Sequence, residues 1–335
     1  MKSVVFFNNK GGVGKTTLLC NLAAYLSIEK RKRVLVVDAD PQCNSTTYTI
    51  DDEVLEGLYA KSRRDTIESF LGTVRKGQGY ITKRIKPEKS LRFKFDIIPG
   101  DPKLALSEDF LASDWKGTTS GDPRGLQTAF VFKHLTQLYS EYDYIFFDVG
   151  PSLGAINRSV ILACDYFVVP MSVDVFSLMA LDNINLSLSK WREGVASGLN
   201  SYREEEGEGY EIEGVEVSWK LKFAGYVMQQ YKYKTVRGEK VHVNAFEKIS
   251  KKIPEKIEKE VSSVFNGSND GLDLLGEIQN LNSLMPMSQT AKSPVFALKA
   301  KDGVVGAHFS KVLEAKSIYE QISLNLLRNL GDAND

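Results

Sequence analysis

The sequence has few cysteines and no long apolar run. Its three cysteines, Cys20, Cys43 and Cys164, are far apart and form no C-x-x-C pair, which argues against a disulfide framework or a zinc site and favours a reducing compartment. Only four consecutive apolar residues, Val4 to Phe7, precede Asn8, and no apolar run approaches the roughly 18 residues that span a bilayer. The sequence therefore predicts a cytoplasmic protein that is neither secreted nor integral to a membrane.

Net charge is also absent, because 43 basic residues balance 43 acidic ones. Any binding to nucleic acid would therefore need a local basic patch. Residues 61–94 supply one candidate, with eleven Lys or Arg against three acids, and residues 232–260 supply another, with nine against five. Residues 201–216 hold seven glutamates against one arginine, which predicts a solvated loop or hairpin.

Short apolar runs alternate with helical patterns along the chain. The predicted strands are Ser3–Phe7, Arg33–Val37, Phe95–Pro99, Tyr144–Asp148, Tyr166–Pro170 and Lys222–Met228. The predicted helices are Lys15–Ser27, Leu126–Tyr139, Ala155–Ala163, Phe176–Trp191, Ala245–Phe265 and Ser310–Leu330. This alternation predicts an α/β three-layer sandwich, in which a mostly parallel, doubly wound sheet is covered by helices on both faces. We interpret residues 1–335 as one domain with insertions at about 55–94, 201–216 and 232–260.

The first predicted strand runs directly into the glycine-rich segment NNKGGVGKTT, residues 8–17. A strand, a glycine-rich turn and a helix in this order direct backbone N–H groups and the positive helix end at a bound anion. The glycines that allow close approach of the backbone are Gly11, Gly12 and Gly14. Lys15 can lie against the β and γ phosphates, and the Thr16 hydroxyl can coordinate Mg²⁺. The segment therefore predicts a triphosphate site.

The same segment departs from the usual phosphate-loop pattern G-x-x-x-x-G-K-S/T. Asn9 stands where that pattern has its first glycine, and Lys10 is an additional lysine. The departure raises the question of what Lys10 does.

Three aspartates follow predicted strands at the edge of the sheet where ligands bind in open α/β folds. Asp148 ends an apolar run and occupies the position of a Walker B aspartate, which would hold Mg²⁺. Asp38 and Asp40 end the strand after the loop helix and, with a period of two, point the same way. One of them could support Mg²⁺ while the other orients the attacking water.

These motifs resemble the ParA/Soj/MinD family of ATPases with a deviant Walker A loop, and most closely its ParA/Soj-type partitioning members. The resemblance is carried by Lys10–Thr17, Asp38–Asn44, Phe146–Leu153, Val168–Pro170, Phe176–Leu178, Gly225–Val227, Met285–Pro286 and Ala291–Phe296. It implies a P-loop ATPase domain that uses ATP and Mg²⁺. Because the loop begins at residue 8, we expect no helix-turn-helix before it.

The resemblance also implies roles for individual residues. Lys10 would reach across an ATP-dependent homodimer to the partner's phosphates, where it would act like an arginine finger. Lys15 would bind the chain's own phosphates and Asp40 would position the attacking water, while the metal residues would be Thr16, Asp38 and Asp148. The nucleotide-binding residues would be Lys10, Gly11, Gly12, Val13, Gly14, Lys15, Thr16 and Thr17, with Met228, Gln229, Pro286 and Met287 flanking the adenine.

The function implied is DNA partition by a nucleoid-associated ATPase. The ATP-bound dimer would bind DNA non-specifically, and a ParB-like partner or another adaptor would stimulate hydrolysis. The alternative is a MinD-like or cargo-positioning ATPase that acts on a membrane or a protein complex. Action on a membrane requires a terminal helix with apolar and basic faces, but the stripe Ile318, Ile322, Leu326 and Leu330 predicts core packing instead, so we expect no stable membrane anchor. An iron–sulfur reductase would need cysteine ligands after Asp148, where Cys164 is the only cysteine.

Overall fold

The computed structural model describes residues 1–231, 233–236, 239–242, 248–267, 273–279, 281 and 284–332. The strands are β1 (Lys2–Phe6), β2 (Val34–Asp38), β3 (Glu88–Lys89), β4 (Asp96–Ile98), β5 (Tyr144–Asp148), β6 (Tyr166–Ser172), β7 (Glu211–Ile212), β8 (Val215–Glu216), β9 (Lys222–Tyr231), β10 (Tyr233–Val236), β11 (Glu239–His242) and β12 (Leu274–Gln279). The α-helices are α1 (Lys15–Ile28), α2 (Asn44–Thr49), α3 (Asp52–Tyr59), α4 (Glu68–Arg75), α5 (Glu108–Ser113), α6 (Trp115–Ser120), α7 (Pro123–Ala129), α8 (Val131–Leu138), α9 (Ala155–Ala163), α10 (Val175–Glu206), α11, here the short helix Ile253–Ile257, α12 (Leu284–Thr290) and α13 (His308–Asn329).

The central sheet has the strand order β12-β9-β6-β1-β5-β2-β4-β3. Its neighbouring strands are parallel except for β3 and β4, which are antiparallel. On β1 and just after it, Val4 and Phe6 belong to one buried cluster, whereas Val5 and Phe7 belong to another, because successive side chains on a strand point to opposite faces. The predicted α/β fold, a mostly parallel sheet with helices on both faces, is confirmed.

Two predicted helices have different bounds in the structure. The helix predicted at Leu126–Tyr139 is divided into α7 and α8 at Phe130, where the backbone leaves the helical region (φ −98°, ψ 15°) and the ring is buried. The helix predicted at Phe176–Trp191 extends to Glu206 as α10. Its buried face continues through Val195 and Gly198, so packing carries the helix beyond the predicted end.

The acidic segment 201–216 is therefore not wholly a loop or hairpin. Its first six residues complete α10, and the rest contains the hairpin β7–β8. Tyr210 and Ile212 are buried in the cluster that also holds Phe130, so the hairpin is anchored by apolar contacts while its glutamates face outward. In the segment 232–260, residues 232, 237–238 and 243–247 lie outside the described residues, as does the start of the helix predicted at 245–265.

The segment 55–94 contributes to the main core. The buried cluster that contains Val5 and Phe7 also contains Ile67, Phe70, Leu71 and Val74. Tyr59 Oη also donates to the carbonyl of Gly100 at 2.6 Å, which ties α3 to the turn after β4. In the part of the chain described here, no helix has both the length and the apolar character needed to cross a bilayer.

Candidate nucleotide site

The glycine-rich loop joins β1 to α1 at the carboxyl edge of the sheet. Lys10, Gly11, Gly12, Val13 and Gly14 lie between these elements, and Lys15, Thr16 and Thr17 form the first turn of α1. Gly12 and Gly14 have φ values of 72° and 75°, a region that glycine adopts without steric cost. A Cβ on Gly14 would also lie 2.3 Å from Oε1 of Gln229, so a larger residue there would displace the end of that side chain. The loop has the geometry of a helix-terminal anion site.

Asn8 fixes the start of this loop. Its side chain is fully buried, and its Nδ2 donates to the carbonyl of Pro170 on β6 at 2.8 Å. Its Oδ1 accepts from the backbone N–H of Lys10 at 2.9 Å. The asparagine thus ties the loop to the neighbouring strand and aligns the backbone of the additional lysine. Sequence reasoning missed this role, and an amide directly after a buried strand is the signal that could have found it.

Two of the predicted metal residues lie side by side. Asp38 and Asp148 are opposite each other in the β2–β5 register, and both are fully buried. The Oγ of Ser45 donates to Asp148 Oδ2, while Asp148 Oδ1 is buried without a hydrogen-bond partner among the described residues. An acceptor left open in this way suits a hard cation or its bound water. Desolvation raises the pKa of Asp148 above its ordinary value, and the hydroxyls of Ser45 and Thr16 oppose that shift, which places Thr16 close to this carboxylate.

Asp38 is engaged by the protein itself. Its Oδ2 accepts from Thr46 N at 2.8 Å and from Thr46 Oγ1 at 2.6 Å, and its Oδ1 accepts from Asp40 N at 3.3 Å. These bonds hold the start of α2 against the end of β2. The arrangement leaves Asp148 as the carboxylate with the open oxygen, and the metal role of Asp38 stays a prediction.

The residues fit a magnesium ion that is shared with a nucleotide. Among the described residues, no group of three or more His, Cys, Asp or Glu side chains could hold a metal on its own. Mg²⁺ is commonly bound through one or two carboxylates together with substrate phosphates and water. Asp148 and the Thr16 hydroxyl are the groups that would hold it here, with the phosphates completing the coordination.

Replacing Asp38 with asparagine is expected to stabilise the metal-free protein at neutral pH. Burial, followed by repulsion from Asp148, raises the pKa of Asp38 well above its ordinary range. Because the raised pKa makes the folded protein hold this proton more tightly than the unfolded chain does, the free energy of unfolding falls as pH rises from about 4 through the raised pKa. Because asparagine does not titrate, the gain in free energy of unfolding should grow over this interval and exceed about 1 kcal/mol at its upper end.

Thermal unfolding in EDTA across that pH interval measures this gain. The exposed Asp65 provides a control, since Asp65→Asn should shift the melting temperature little at any pH. A difference between wild type and Asp38→Asn that stays constant with pH would contradict the explanation from burial.

Lys15 is a buried cation at the centre of the site. It is 7% exposed, and desolvation lowers its pKa although Asp148 and Asp40 oppose that shift. A lysine buried in this way is stabilised by any further negative charge that reaches it. A phosphate group on the loop would supply that charge.

Asp40 lies beside the turn that follows Asp148. It is 7% exposed, and its Oδ1 accepts from Gln42 N at 3.0 Å. A Cβ on Gly150 would lie 3.3 Å from the same oxygen, so the missing side chain at this position lets the carboxylate approach the turn. The structure thus brings Asp40, Asp148 and Lys15 together at one edge of the sheet.

Lys10 is directed away from this group. Its Nζ forms an ion pair with Asp174, and Ser172 Oγ and Ser177 Oγ each lie 3.4 Å away. Asp174 is also the N-cap of α10, where it accepts from Ser177 N at 3.0 Å. Partial burial of Asp174 acts to raise its pKa, but the hydrogen bonds from Lys10 and from Ser177 N hold that pKa below its ordinary value. The lysine is thus held within its own chain.

A small cleft lies next to the loop and contains one of the residues that were predicted to flank the adenine. It measures about 110 Å³ and is lined by Gly14, Thr17, Gln229, Ile278, Gln279, Leu281, Met285 and Tyr319. Gln229 Nε2 donates to the Gly14 carbonyl at 3.1 Å, so this predicted residue does contact the loop.

The other predicted adenine residues do not line this cleft. Met228 alternates with Gln229 along β9 and is buried in the cluster on the opposite face. Pro286 is exposed on α12, and Met287 packs against the other cluster. Met285 lines the cleft although the sequence did not single it out. The adenine assignment stays a prediction.

The structure shows where the residues lie on which the membrane and iron–sulfur alternatives depend. Ile322, Leu326 and Leu330 on and after α13 are buried against the sheet, so this stripe packs inward as predicted. Cys164 is 2% exposed, and its Sγ donates to the carbonyl of Val160 at 3.3 Å, which places the thiol in the core.

Comparison with known proteins identifies the family. The family model described as an AAA domain matches residues 1–200. The virulence plasmid ParA family protein pGP5-D of Chlamydia psittaci is 33% identical over 184 residues, which cover 55% of this chain and 62% of that protein. The chromosome-partitioning ATPase Soj of Thermus thermophilus is 30% identical over 196 residues, which cover 58% and 64%. The alignments thus span less than two thirds of either relative.

A solved structure extends the likeness to the whole chain. Protein DIP2308 from Corynebacterium diphtheriae superposes with a TM-score of 0.75 at 27% identity, over 98% of this chain and 99% of that one. The family match over more than half of the sequence and the site geometry agree with each other. The chain belongs to the ParA/Soj family of P-loop proteins.

Proposed function

We propose that this protein is an ATPase that partitions or positions DNA. The observation that carries the proposal is the meeting of Lys15, Asp148 and Asp40 beside a glycine-rich helix N-terminus. The names of the relatives, a chromosome-partitioning ATPase and a plasmid ParA family protein, support DNA as the cargo. The protein would act at the nucleoid as a homodimer when ATP is bound, with a ParB-like or other adaptor stimulating hydrolysis.

Different residues would bind the phosphates, hold the metal ion and position the water in ATP hydrolysis. The loop N–H groups and Lys15 would bind the phosphates and neutralise charge that develops in phosphoryl transfer. Mg²⁺, held through Asp148 and Thr16, would supply further charge neutralisation. Asp40 would orient a water for attack on the γ phosphate, because it lies at the end of the strand next to Asp148. Gly150 keeps the space beside it open.

Lys10 would complete the site of a second subunit. In the single chain its ammonium group is paired with Asp174 at the surface, and the side chain is 25% exposed. A partner's phosphates, with their greater negative charge, would compete with one carboxylate for this cation. ATP would thereby favour the dimer, because each nucleotide would be contacted by a lysine from both chains.

Replacing Lys10 with alanine is expected to weaken the ATP-dependent dimer and to lower turnover by at least about 100-fold, since a charge supplied in trans to phosphoryl transfer has effects of this size or larger. Light scattering with ATP and with ADP measures the dimer, and phosphate release measures turnover. Asp174→Asn is the matched variant, because asparagine keeps the helix cap while releasing the lysine. It should dimerise at least as well as wild type. Wild-type dimerisation and hydrolysis by Lys10→Ala would contradict the trans role.

A further inference from the structure

A short turn, residues 149–154, joins β5 to α9 and lies between two parts of the nucleotide site. A Cβ on Gly150 would lie 3.3 Å from Asp40 Oδ1, and a Cβ on Gly11 of the glycine-rich loop would lie 3.8 Å from Pro151 Cγ. Pro151 is exposed, so a ligand on the loop can reach the turn. The turn therefore borders the position that the terminal phosphate of a bound triphosphate would take.

One side chain of α9 holds this turn. Asn157 is 2% exposed, and its Nδ2 donates to the carbonyl of Gly150 at 2.7 Å and to the carbonyl of Ser152 at 2.8 Å. The amide nitrogen of an asparagine carries two N–H groups, so both are used on the turn. Two peptide units of the turn thus depend on one buried amide for their orientation.

The start of α9 is itself fixed by another element. Glu108, at the start of α5, accepts with Oε1 from the backbone N–H of Ala155 and with Oε2 from that of Ile156 at 3.0 Å. A carboxylate at a helix N-terminus also interacts favourably with the helix dipole. Asn157 therefore extends from a helix end that is held in place, which lets its amide hold the turn in turn.

The turn keeps backbone donors that no protein group uses. Among the residues that the structure describes, the N–H groups of Gly150, Ser152 and Leu153 have no hydrogen-bond acceptor. In a trans peptide unit the N–H and the carbonyl point in opposite directions. The N–H of Leu153 therefore points away from the Ser152 carbonyl that Asn157 holds. Backbone N–H groups close together in a turn form a surface that favours an anion.

Another buried side chain of α9 provides a comparison. Ser159 is 3% exposed, and its Oγ donates to the carbonyl of Ala129 at 2.8 Å. This bond ties the helix to α7 and does not involve the turn. Of the two residues, Asn157 is the one whose hydrogen bonds reach the nucleotide site.

We infer that Asn157 is a positioning residue that gives the nucleotide site its preference for ATP over ADP. The inference rests on the proposed ATP site but not on DNA as the cargo. ADP ends at the glycine-rich loop, whereas the γ phosphate of ATP extends to the turn. Asn157 keeps the carbonyls of Gly150 and Ser152 away from that phosphate, because a carbonyl oxygen that faced it would repel its charge.

The test compares the affinity for a non-hydrolysable ATP analogue with the affinity for ADP, each measured with Mg²⁺ by isothermal titration. Asn157→Ala should weaken binding of the analogue by about 10-fold, the loss of about one hydrogen bond to a charged group, and should leave ADP binding nearly unchanged. Turnover should fall by about 10- to 100-fold, since a displacement of about 1 Å near the reacting groups has effects of this size.

Two further variants complete the test. Ser159→Ala removes a buried hydrogen bond from the same helix and should keep both the wild-type ratio of affinities and the wild-type turnover. Asn157→Asp keeps the shape of the side chain and places a carboxylate in the first turn of α9, where it favours the helix, but an ionised carboxylate has no N–H to donate. It should show the same selective loss, and it carries the test if the melting temperature shows that Asn157→Ala does not fold.

The outcomes separate this inference from the proposed function. Equal losses for the analogue and for ADP, or a wild-type ratio in both Asn157 variants, would overturn the positioning role. A loss of the ratio in Ser159→Ala would assign the effect to α9 as a whole and would also overturn it. If wild type binds nucleotide without hydrolysing ATP, the proposed ATPase is wrong, and the ratio of affinities still decides the role of Asn157. If wild type binds both nucleotides equally, the inference fails alone; if it binds neither, both fail.

Discussion

Replacing Lys15 with alanine is expected to weaken ATP binding by at least 100-fold. The lysine is buried next to Asp148 and Asp40, so its removal deprives the phosphates of the buried cation that their own chain supplies. Removing one partner of a buried, hydrogen-bonded ion pair costs about 3 to 5 kcal/mol, and each 1.4 kcal/mol is about a factor of ten in affinity. Isothermal titration with a non-hydrolysable ATP analogue and Mg²⁺ measures the loss.

The control for this variant must separate binding from folding. Desolvation disfavours the charged lysine in the empty site, so Lys15→Ala is expected to keep a melting temperature close to that of wild type without nucleotide. Lys190→Ala, which removes an exposed lysine on α10, should bind ATP normally. Wild-type affinity in Lys15→Ala would show that the phosphates lie elsewhere.

Replacing Asp40 with alanine is expected to lower turnover by about 10²- to 10⁴-fold, the range for a positioned acid–base group, and to leave the ATP-dependent dimer intact. The carboxylate lies against Gly150 and, among the described residues, its one hydrogen bond is accepted from the N–H of Gln42, so its loss disturbs little structure. Phosphate release and light scattering on the same sample separate the two effects.

Two companion variants sharpen the interpretation of Asp40→Ala. Asp40→Asn keeps the shape but not the charge and should be equally slow if the carboxylate itself orients water. Asp65→Ala removes an exposed aspartate of the segment 55–94 and should hydrolyse ATP at the wild-type rate. Normal hydrolysis by Asp40→Ala would show that another group positions the water.

The sequence predicted the sheet, and it predicted that the candidate nucleotide residues would lie at one edge of it, because both depend on short-range patterns. Buried parallel strands are continuous apolar runs, and the polar residues that end them must lie at one edge. Asp38 and Asp148 are neighbours in the register for this reason. The glycine loop was equally local, since its conformation depends on Gly12 and Gly14.

The contacts of Asn8 and Lys10 could not be predicted in the same way. Each depends on β6 lying beside β1, and the residues that meet are about 160 positions apart in the sequence. No periodicity in either segment carries that information. Asp174 was therefore missed as the partner of Lys10, although an aspartate before a helix is a common cap.

The predicted helix bounds differ from the observed ones where tertiary packing outweighs the local apolar pattern. The apolar repeat of α10 weakens after Trp191, yet Gly198 packs so closely on Thr118 that a Cβ there would lie 1.8 Å from its carbonyl oxygen. That contact belongs to tertiary structure. The acidic residues that follow were consequently predicted as loop, although the first of them complete the helix.

The length of α10 has an electrostatic consequence. The helix has 32 residues, so at about 1.5 Å per residue its ends are roughly 48 Å apart. One end is capped by Asp174, the carboxylate that holds Lys10, and the other carries Glu204, Glu205 and Glu206. At physiological ionic strength the screening length is about 8 Å. The glutamates are therefore too distant to repel a nucleotide at the other end of the helix. The zero net charge of the chain is thus a sum over regions whose charges do not influence one another.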